Sequence, residues 1–449
     1  MLNTDKIYFY PYKIFEVERR KYLYTIYASG LFEIDNTVSK LLQLNGSTVE
    51  SIKEALKIDL TEDKSIELLT DKLLCRNEVS HDESQEIEKA NFSALTLMLA
   101  QECNMRCSYC YGEGGEYNNK GIMTENVAFQ AIDYLVKNST DELLHIAFLG
   151  GEPLLNFPLL KKVVEYCKQI SADTGKKFSY TITTNGTLIT DNIEKYLTEN
   201  KIVCQISLDG TKEKNDMNRF FRNKKGSYDV IVEKTKSMRH MNLVTARATV
   251  TPDNSDYKEI FNHLNELEFR AIPIAIAQNM VDDEQFDKIL SEYINYIFYF
   301  EELILTKQYA KAKKMTDLVN ALEKIEFGNV RNNGCGAGRT MFAVDIDGTL
   351  YPCHRFVGER KFALGNIWTG SDNSKFLKMI NVRNRDKCSK CWAQNLCLGC
   401  CPHENYTNTN NINLASERSC RMAKTIYEKL ISVYIKMSDE DKKMMWPED

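Results

Sequence analysis

From Leu95 to about Gln278 the chain switches repeatedly between two hydrophobic periods. Six short apolar runs, "ALTLMLA", "LHIAFLG", "FSYTITT", "IVCQISLD", "LVTARATV" and "AIPIAIA", have the length and β-branched content of buried strands. Between them lie stretches with apolar residues at helical spacing: "TENVAFQAIDYLVKN", "LLKKVVEYCKQI", "TDNIEKYL", "YDVIVEKTKSM" and "YKEIFNHLNEL". This alternation predicts an α/β fold, a parallel sheet with right-handed crossovers. Six units fall two short of a closed eight-unit barrel. The pattern therefore predicts a partial (β/α)6 barrel over 95–281, with chemistry at the C-terminal ends of its strands.

The flanks read differently. Residues 1–80 form a module of their own, with a hairpin in "KYLYTIYASGLFEID" turning at Ser29-Gly30. Helices are predicted over "TVSKLLQL" and "TVESIKEAL", and a third over "DKSIELLTDKLL" with Ile66, Leu69 and Leu73 on its apolar side. The charged stretch from Ser80 to Lys89 marks 81–94 as a linker. Residues 282–334 read as a tyrosine-rich helical bridge. Residues 335–449 lack long periodic runs until a closing helix over 421–437.

Charge adds little. The 58 basic and 63 acidic residues are well mixed and leave a net charge of −5, so neither nucleic acid nor an anionic membrane is expected as partner. No apolar run approaches the roughly 18 residues of a membrane span, and no secretory signal pattern is present. A cytoplasmic protein is expected. Cysteine changes the picture. Of fourteen, three lie at 103–110 and eight between Cys335 and Cys420. Clusters of this kind in reducing cytosol are metal ligands or catalysts rather than disulfides. The isolated Cys75, Cys167 and Cys204 lie in apolar runs and are expected to pack.

Cys103-x3-Cys107-x2-Cys110 follows the first predicted strand directly. Structural zinc takes four ligands, and a redox C-x2-C pair would leave Cys103 unexplained. Three thiolates on a tight loop can hold a [4Fe–4S] cluster with one iron left open. Further motifs stand at successive strand ends: "GGEP" at Gly150–Pro153, "TTNG" at Thr183–Gly186 and "SLDG" at Ser207–Gly210, then "NDMNRFFRNKKGSYD". Over residues 95–280 the chain resembles the radical S-adenosylmethionine (SAM) superfamily. The resemblance implies SAM on the open iron, with Gly150, Gly151 and Glu152 at its amino group and Asn185 at the next strand end. It also implies Ser207 and Arg219 at the SAM carboxylate and Tyr109 by the adenine. An electron from the cluster would release a 5′-deoxyadenosyl radical from SAM.

The later cysteines run Cys335, Gly348-x4-Cys353, Cys388-x2-Cys391-x5-Cys397-x3-Cys401 and Cys420. This spacing resembles the SPASM domain, which implies two auxiliary [4Fe–4S] clusters and three in all. Cys388, Cys391, Cys397 and Cys420 would hold one, and Cys335, Cys353 and Cys401 the other. A zinc ribbon is the alternative, although seven thiolates exceed what one zinc needs. Cys400 stands where glycine is usual, either as a bystander or as an eighth ligand. "DIDGTL" at Asp345–Leu350 matches the nucleophile motif of haloacid-dehalogenase phosphatases, but it sits ten residues after Cys335. Asp345 and Asp347 are expected in a hairpin turn.

Residues 1–80 resemble the winged-helix element that grips leader peptides. "CYGEGGEYNNKGIM" and "CWAQNLCLGCCPHENYTNT" resemble the thioether-forming branch, the ranthipeptide and sactipeptide type. The resemblance implies a cysteine-containing precursor peptide with a leader, a flavodoxin or ferredoxin as reductant, and a sulfur-to-carbon crosslink, including to Asp or Glu side-chain carbons. The alternatives are a formylglycine-generating or other protein oxidase, and a leader-binding scaffold. No protein acid or base is indicated. Asp209 is the candidate to face substrate, with helix capping as its other reading.

Overall fold

The computed structural model describes residues 6, 8–56, 74–75, 90–328, 330 and 333–447. The chain divides into two compact units. One comprises Met1–Glu86, Leu318–Gly334 and Ile380–Asp449; the other comprises Ile87–Asp317 and Cys335–Met379. The expected C-terminal domain at 335–449 is thus shared between them. Its first part is grouped with the strand–helix repeat and its second with the N-terminal module.

The N-terminal module begins with β1 (Tyr8–Phe9), followed by β2 (Tyr12–Val17), β3 (Arg20–Thr25) and β4 (Gly30–Ile34). β2, β3 and β4 make an antiparallel meander, with Tyr12 opposite Thr25 and Lys21 opposite Ile34. Ser29 takes the left-handed conformation that the tight turn into β4 requires, φ +46°. Helices Asn36–Gln43 and Val49–Leu56 follow, the first capped by the Asp35 carboxylate accepting from Val38 N. Phe9, Leu23, Ile34, Leu41, Leu42 and Ile52 form the core of this module. The strand "YKIFEV" before the hairpin went unrecognised in the sequence. Of the expected third helix over 63–74, all but Leu74 lies outside the described residues, as does most of the expected linker. Leu74 itself belongs to β5 (Leu74–Cys75), which pairs with β1.

The other unit is built on β6 (Ala94–Gln101), β7 (Gly121–Ile122), β8 (Leu143–Gly150), β9 (Lys177–Thr184), β10 (Val203–Ser207), β11 (Val244–Val250) and β12 (Ile274–Ile276). Six of these strands lie side by side in the order β12-β11-β10-β9-β8-β6, every neighbouring pair parallel. Each crossover carries a helix, among them Glu125–Lys137, Phe157–Thr174, Asp191–Glu199 and Tyr257–Glu266. The α/β alternation read from hydrophobic period is present element by element. Leu95, Leu97, Met98 and Leu99 of β6 are fully buried, as are Cys167 and Cys204, which pack as expected.

β13 (Met341–Val344) extends the sheet beyond β6 in parallel, with Met341 opposite Ala94. β14 (Thr349–Tyr351), β15 (Gly365–Asn366) and β16 (Gly370–Ser371) continue it antiparallel, and β7 pairs with the end of β6. The sheet is therefore mixed and open, running from β12 to β16. Asp345 and Asp347 sit in the β13–β14 turn, where Asp347 accepts from Thr349 N. Asp345 is buried and accepts from Gln101 and Asn119 side chains. That hairpin turn disposes of the phosphatase likeness. No helix among the described residues is long and apolar enough to cross a membrane.

Candidate active site

The three-cysteine loop leaves β6 and is held by backbone pairing to the segment after helix Lys212–Asn218. Met105 bridges Phe221, Arg106 N donates to Phe220 O, and Ser108 N donates to Asn218 O. Arg222 donates to the Cys103 carbonyl through Nη2 at 2.9 Å, and Arg106 does so through Nη1 at 2.9 Å. Burial pushes the Cys103 thiol up to about 11 and raises Cys107, with Cys110 adding to both. Thiols in such a setting stay protonated until a metal supplies compensating charge.

The "GGEP" turn at the end of β8 lies against the start of that loop. Gly151 N donates to Ala100 O at 2.7 Å, and Glu152 N donates to Glu102 O at 2.8 Å. A Cβ on Gly150 would stand 2.2 Å from Ala100 O, and one on Gly151 would stand 2.3 Å from Glu102 O. The fully buried Glu152 carboxylate spans two strand ends. It accepts from Leu154 N (3.0 Å), Thr184 Oγ1 (2.7 Å) and Asn185 N (2.8 Å). Asn185 turns its own amide to Asn104 Oδ1 at 2.9 Å and to Cys103 Sγ at 3.8 Å. The motif residues of β6, β8 and β9 are therefore one hydrogen-bonded assembly.

A second buried group joins the cysteine loop to β10 and β11. Tyr109 OH donates to Asp209 Oδ2 at 2.6 Å and accepts from Arg219 Nη1 at 2.8 Å, while Asp209 Oδ1 accepts from Thr249 N at 3.0 Å. Burial raises the Asp209 carboxyl against the pull of Arg219. Asp209 caps no helix, since Thr211 stands at the N-cap of the next one. Its carboxylate is engaged by Tyr109 OH and Thr249 N. Ser207 ends β10, in register with Arg247 of β11.

Two residues went unrecognised. Tyr117 is buried, with its hydroxyl 3.3 Å from the Gly150 carbonyl and 3.4 Å from Tyr111 OH. Tyr111 follows Cys110 and has Arg355 over its ring at 5.3 Å. Tyr111 leaves 43% of its surface open, yet burial raises its phenol and both Cys110 and Cys353 add to the rise. The only sequence signal for this pair is two tyrosines in the glycine-rich stretch after the cysteines.

The residues fit the implied groups. Arg219 Nε is buried without a partner among the described residues, and the turn beside it has no room for side chains. A cation and a bare backbone turn suit a cofactor bearing both carboxylate and ammonium. In the other unit, Cys388, Cys391, Cys397 and Cys420 lie close enough for the charge on one to raise its neighbours. Cys400 faces this set. Cys335 and Cys353 belong to the strand–helix unit and Cys401 to the unit of the terminal cysteines. Among the described residues no three His, Cys, Asp or Glu side chains converge on a single-ion site. A four-iron cluster asks for wider spacing, because each thiolate binds a different iron.

Comparison with known proteins agrees with this geometry. Residues 97–267 match the radical SAM superfamily, and residues 335–392 match SPASM, an iron-sulfur cluster-binding domain. A cysteine-type anaerobic sulfatase-maturating enzyme of Clostridium novyi (strain NT) is 26% identical over 373 residues, 76% of this chain and 96% of its own. A radical SAM cyclopropyl synthase of Paramaledivibacter caminithermalis is 23% identical over 437 residues, 90% of each. In fold, the chain is similar to the solved structure of histidine-tagged anSMEcpe with bound AdoMet. The TM-score is 0.65 at 22% identity, over 79% of this chain and 98% of that one.

Proposed function

The chain belongs to the radical SAM superfamily and carries a SPASM domain, and we propose that it joins a cysteine sulfur to a carbon within a ribosomally made precursor peptide. One observation carries the reading: the small β-sheet and helices at residues 8–56, grouped in one unit with the terminal cysteines. β2 and β4 each have one edge without a strand partner among the described residues. An extended leader can add a strand to such an edge. The cyclopropyl synthase spans 90% of this chain, whereas the sulfatase-maturating relative spans 76%.

When bound, the first cluster and SAM supply a 5′-deoxyadenosyl radical that takes hydrogen from an unactivated carbon. Cys103, Cys107 and Cys110 would hold that cluster. The Gly150–Glu152 turn would receive the SAM ammonium, Arg219 with Ser207 its carboxylate, and Tyr109 would lie by the adenine. Cys388, Cys391, Cys397 and Cys420 would hold an auxiliary cluster. Atoms and electrons balance: one hydrogen atom leaves the acceptor carbon, and a proton and an electron leave the cysteine sulfur as the C–S bond forms. That electron requires an acceptor, which an auxiliary cluster would supply when bound; two such clusters would bring the total to three. A flavodoxin or ferredoxin supplies the reducing electron.

Mass spectrometry of a cysteine-containing precursor, treated with reconstituted protein, SAM and dithionite, tests this. The expected product keeps its sulfur, has lost two hydrogens and resists thiol alkylation. Replacing Cys103, Cys107 and Cys110 together by Ala should abolish 5′-deoxyadenosine formation. The likeness to a cysteine-type sulfatase-maturating enzyme favours a second reading, oxidation of a peptidyl cysteine to formylglycine. A product that has lost sulfur and gained an aldehyde would establish that instead.

A further inference from the structure

Five thiols, not four, gather at the terminal cysteine set. Helix Gln394–Cys397 ends in three consecutive left-handed residues: Leu398 (φ +55°), Gly399 (φ +78°) and Cys400 (φ +62°). Only the middle one is glycine, so the loop holds a side chain in an unfavourable backbone region at each of the others. The loop is also clamped. Gly399 O accepts from Arg385 Nη1 at 2.8 Å and from Asn405 Nδ2 at 2.9 Å. The result is that Cys400 doubles back onto the helix it follows. Its amide reaches Cys397 O at 3.4 Å, and its Sγ stands 3.5 Å from Cys397 Sγ. The same sulfur lies 3.8 Å from the carbonyl of Ser419, the residue before Cys420.

We infer that Cys400 is neither a bystander nor a ligand, but a positioning residue whose S–H donates to the ligand sulfur of Cys397. The inference rests on the proposed assignment of Cys388, Cys391, Cys397 and Cys420 to one auxiliary cluster. Four thiolates fill the four irons, so the fifth sulfur has none to bind. A thiolate bound to iron carries no proton, so the one hydrogen available is that of Cys400, with Cys397 Sγ at 3.5 Å its nearer acceptor and Ser419 O at 3.8 Å the farther one. Hydrogen bonds to cluster sulfur stabilise the more negative, reduced state and raise its potential. A residue that makes a surplus electron easier to accept serves an oxidative crosslink directly.

The test is an EPR-monitored redox titration of the reconstituted full-length chain, with iron counted in parallel. Cys400→Ala is expected to keep its full iron content while the auxiliary potential moves to more negative values. Cys400→Ser, whose hydroxyl donor sits on shorter bonds, should move it less in the same direction. Loss of iron in Cys400→Ala would make Cys400 a ligand and overturn the inference, as would an unmoved potential. Where the alanine variant does not fold, the serine variant decides by the same two readings. Cys397→Ala is the control for the underlying assignment. If it retained the terminal cluster, the ligand set itself would be wrong, an outcome distinct from any failure at Cys400.

Discussion

Gly150 and Gly151 are glycines because the chain has no room for anything else there. Gly150 also adopts φ +143°, so alanine would meet both Ala100 O and an unfavourable backbone region. Gly150→Ala is expected to cost about 2 kcal/mol and to weaken SAM binding, read by thermal melting and calorimetry. Tyr117 offers a milder probe of the same turn. Tyr117→Phe removes the hydroxyl beside the Gly150 carbonyl but keeps the ring that packs against Gly112. A loss of about 1 kcal/mol, or roughly five-fold in SAM affinity, is expected. Unchanged affinity would remove Tyr117 from the site. The motif glycines were legible in the sequence because their spacing is local. Tyr117 was not, because its partner carbonyl lies 33 residues away on another strand end.

Elements are tied by pairs that cross between strands. His145 on β8 places Nδ1 3.0 Å from Ser179 Oγ and Nε2 3.0 Å from Thr181 Oγ1, both on β9. Burial lowers its imidazole from 6.5. A depressed histidine binds fewer protons in the folded state than in the unfolded one between the two pKa values. Its contribution is complete above about 6.5 and is lost as pH falls through the lower folded value. The melting temperature should therefore drop on mild acidification, and His145→Gln should flatten that dependence. The strands carrying these residues were legible as short apolar runs between helical stretches. The two-nitrogen bridge was not, since it depends on the register of two strands rather than on either one.

At the scale of the molecule, the leader-reading candidate and the terminal cysteines are built as one body. Trp392, next to Cys391, sets its ring 5.7 Å from Phe15 and 6.2 Å from Tyr24, with Lys13 above it at 5.0 Å. Asn395 donates to Ile26 O at 2.6 Å, and Lys13 pairs with Glu428 of the closing helix Glu417–Lys436. Metal binding to such a segment is folding free energy, so cluster and module should stand or fall together. Trp392→Ala is expected to cost about 3 kcal/mol and to lower both peptide affinity and auxiliary iron content. Deleting residues 1–80 should likewise reduce iron while leaving SAM cleavage, proposed for the other unit, in place. Full iron in the deletion would show the two to be independent.

The sequence by itself determined the alternation of strands and helices, the order of motifs at successive strand ends, and the grouping of the cysteines along the chain. All of these are written in periods and spacings of a few residues. Only the tertiary structure decided that β13 lies parallel beside β6, that residues 335–379 group with the strand–helix unit, and that residues 380–449 group with the N-terminal module. Pairings between segments so far apart in the chain leave no local period, because a strand's pattern reports which faces are buried and not which edge it will find. The position of Cys400 was likewise decided by the tertiary structure, where three left-handed residues turn it back onto Cys397.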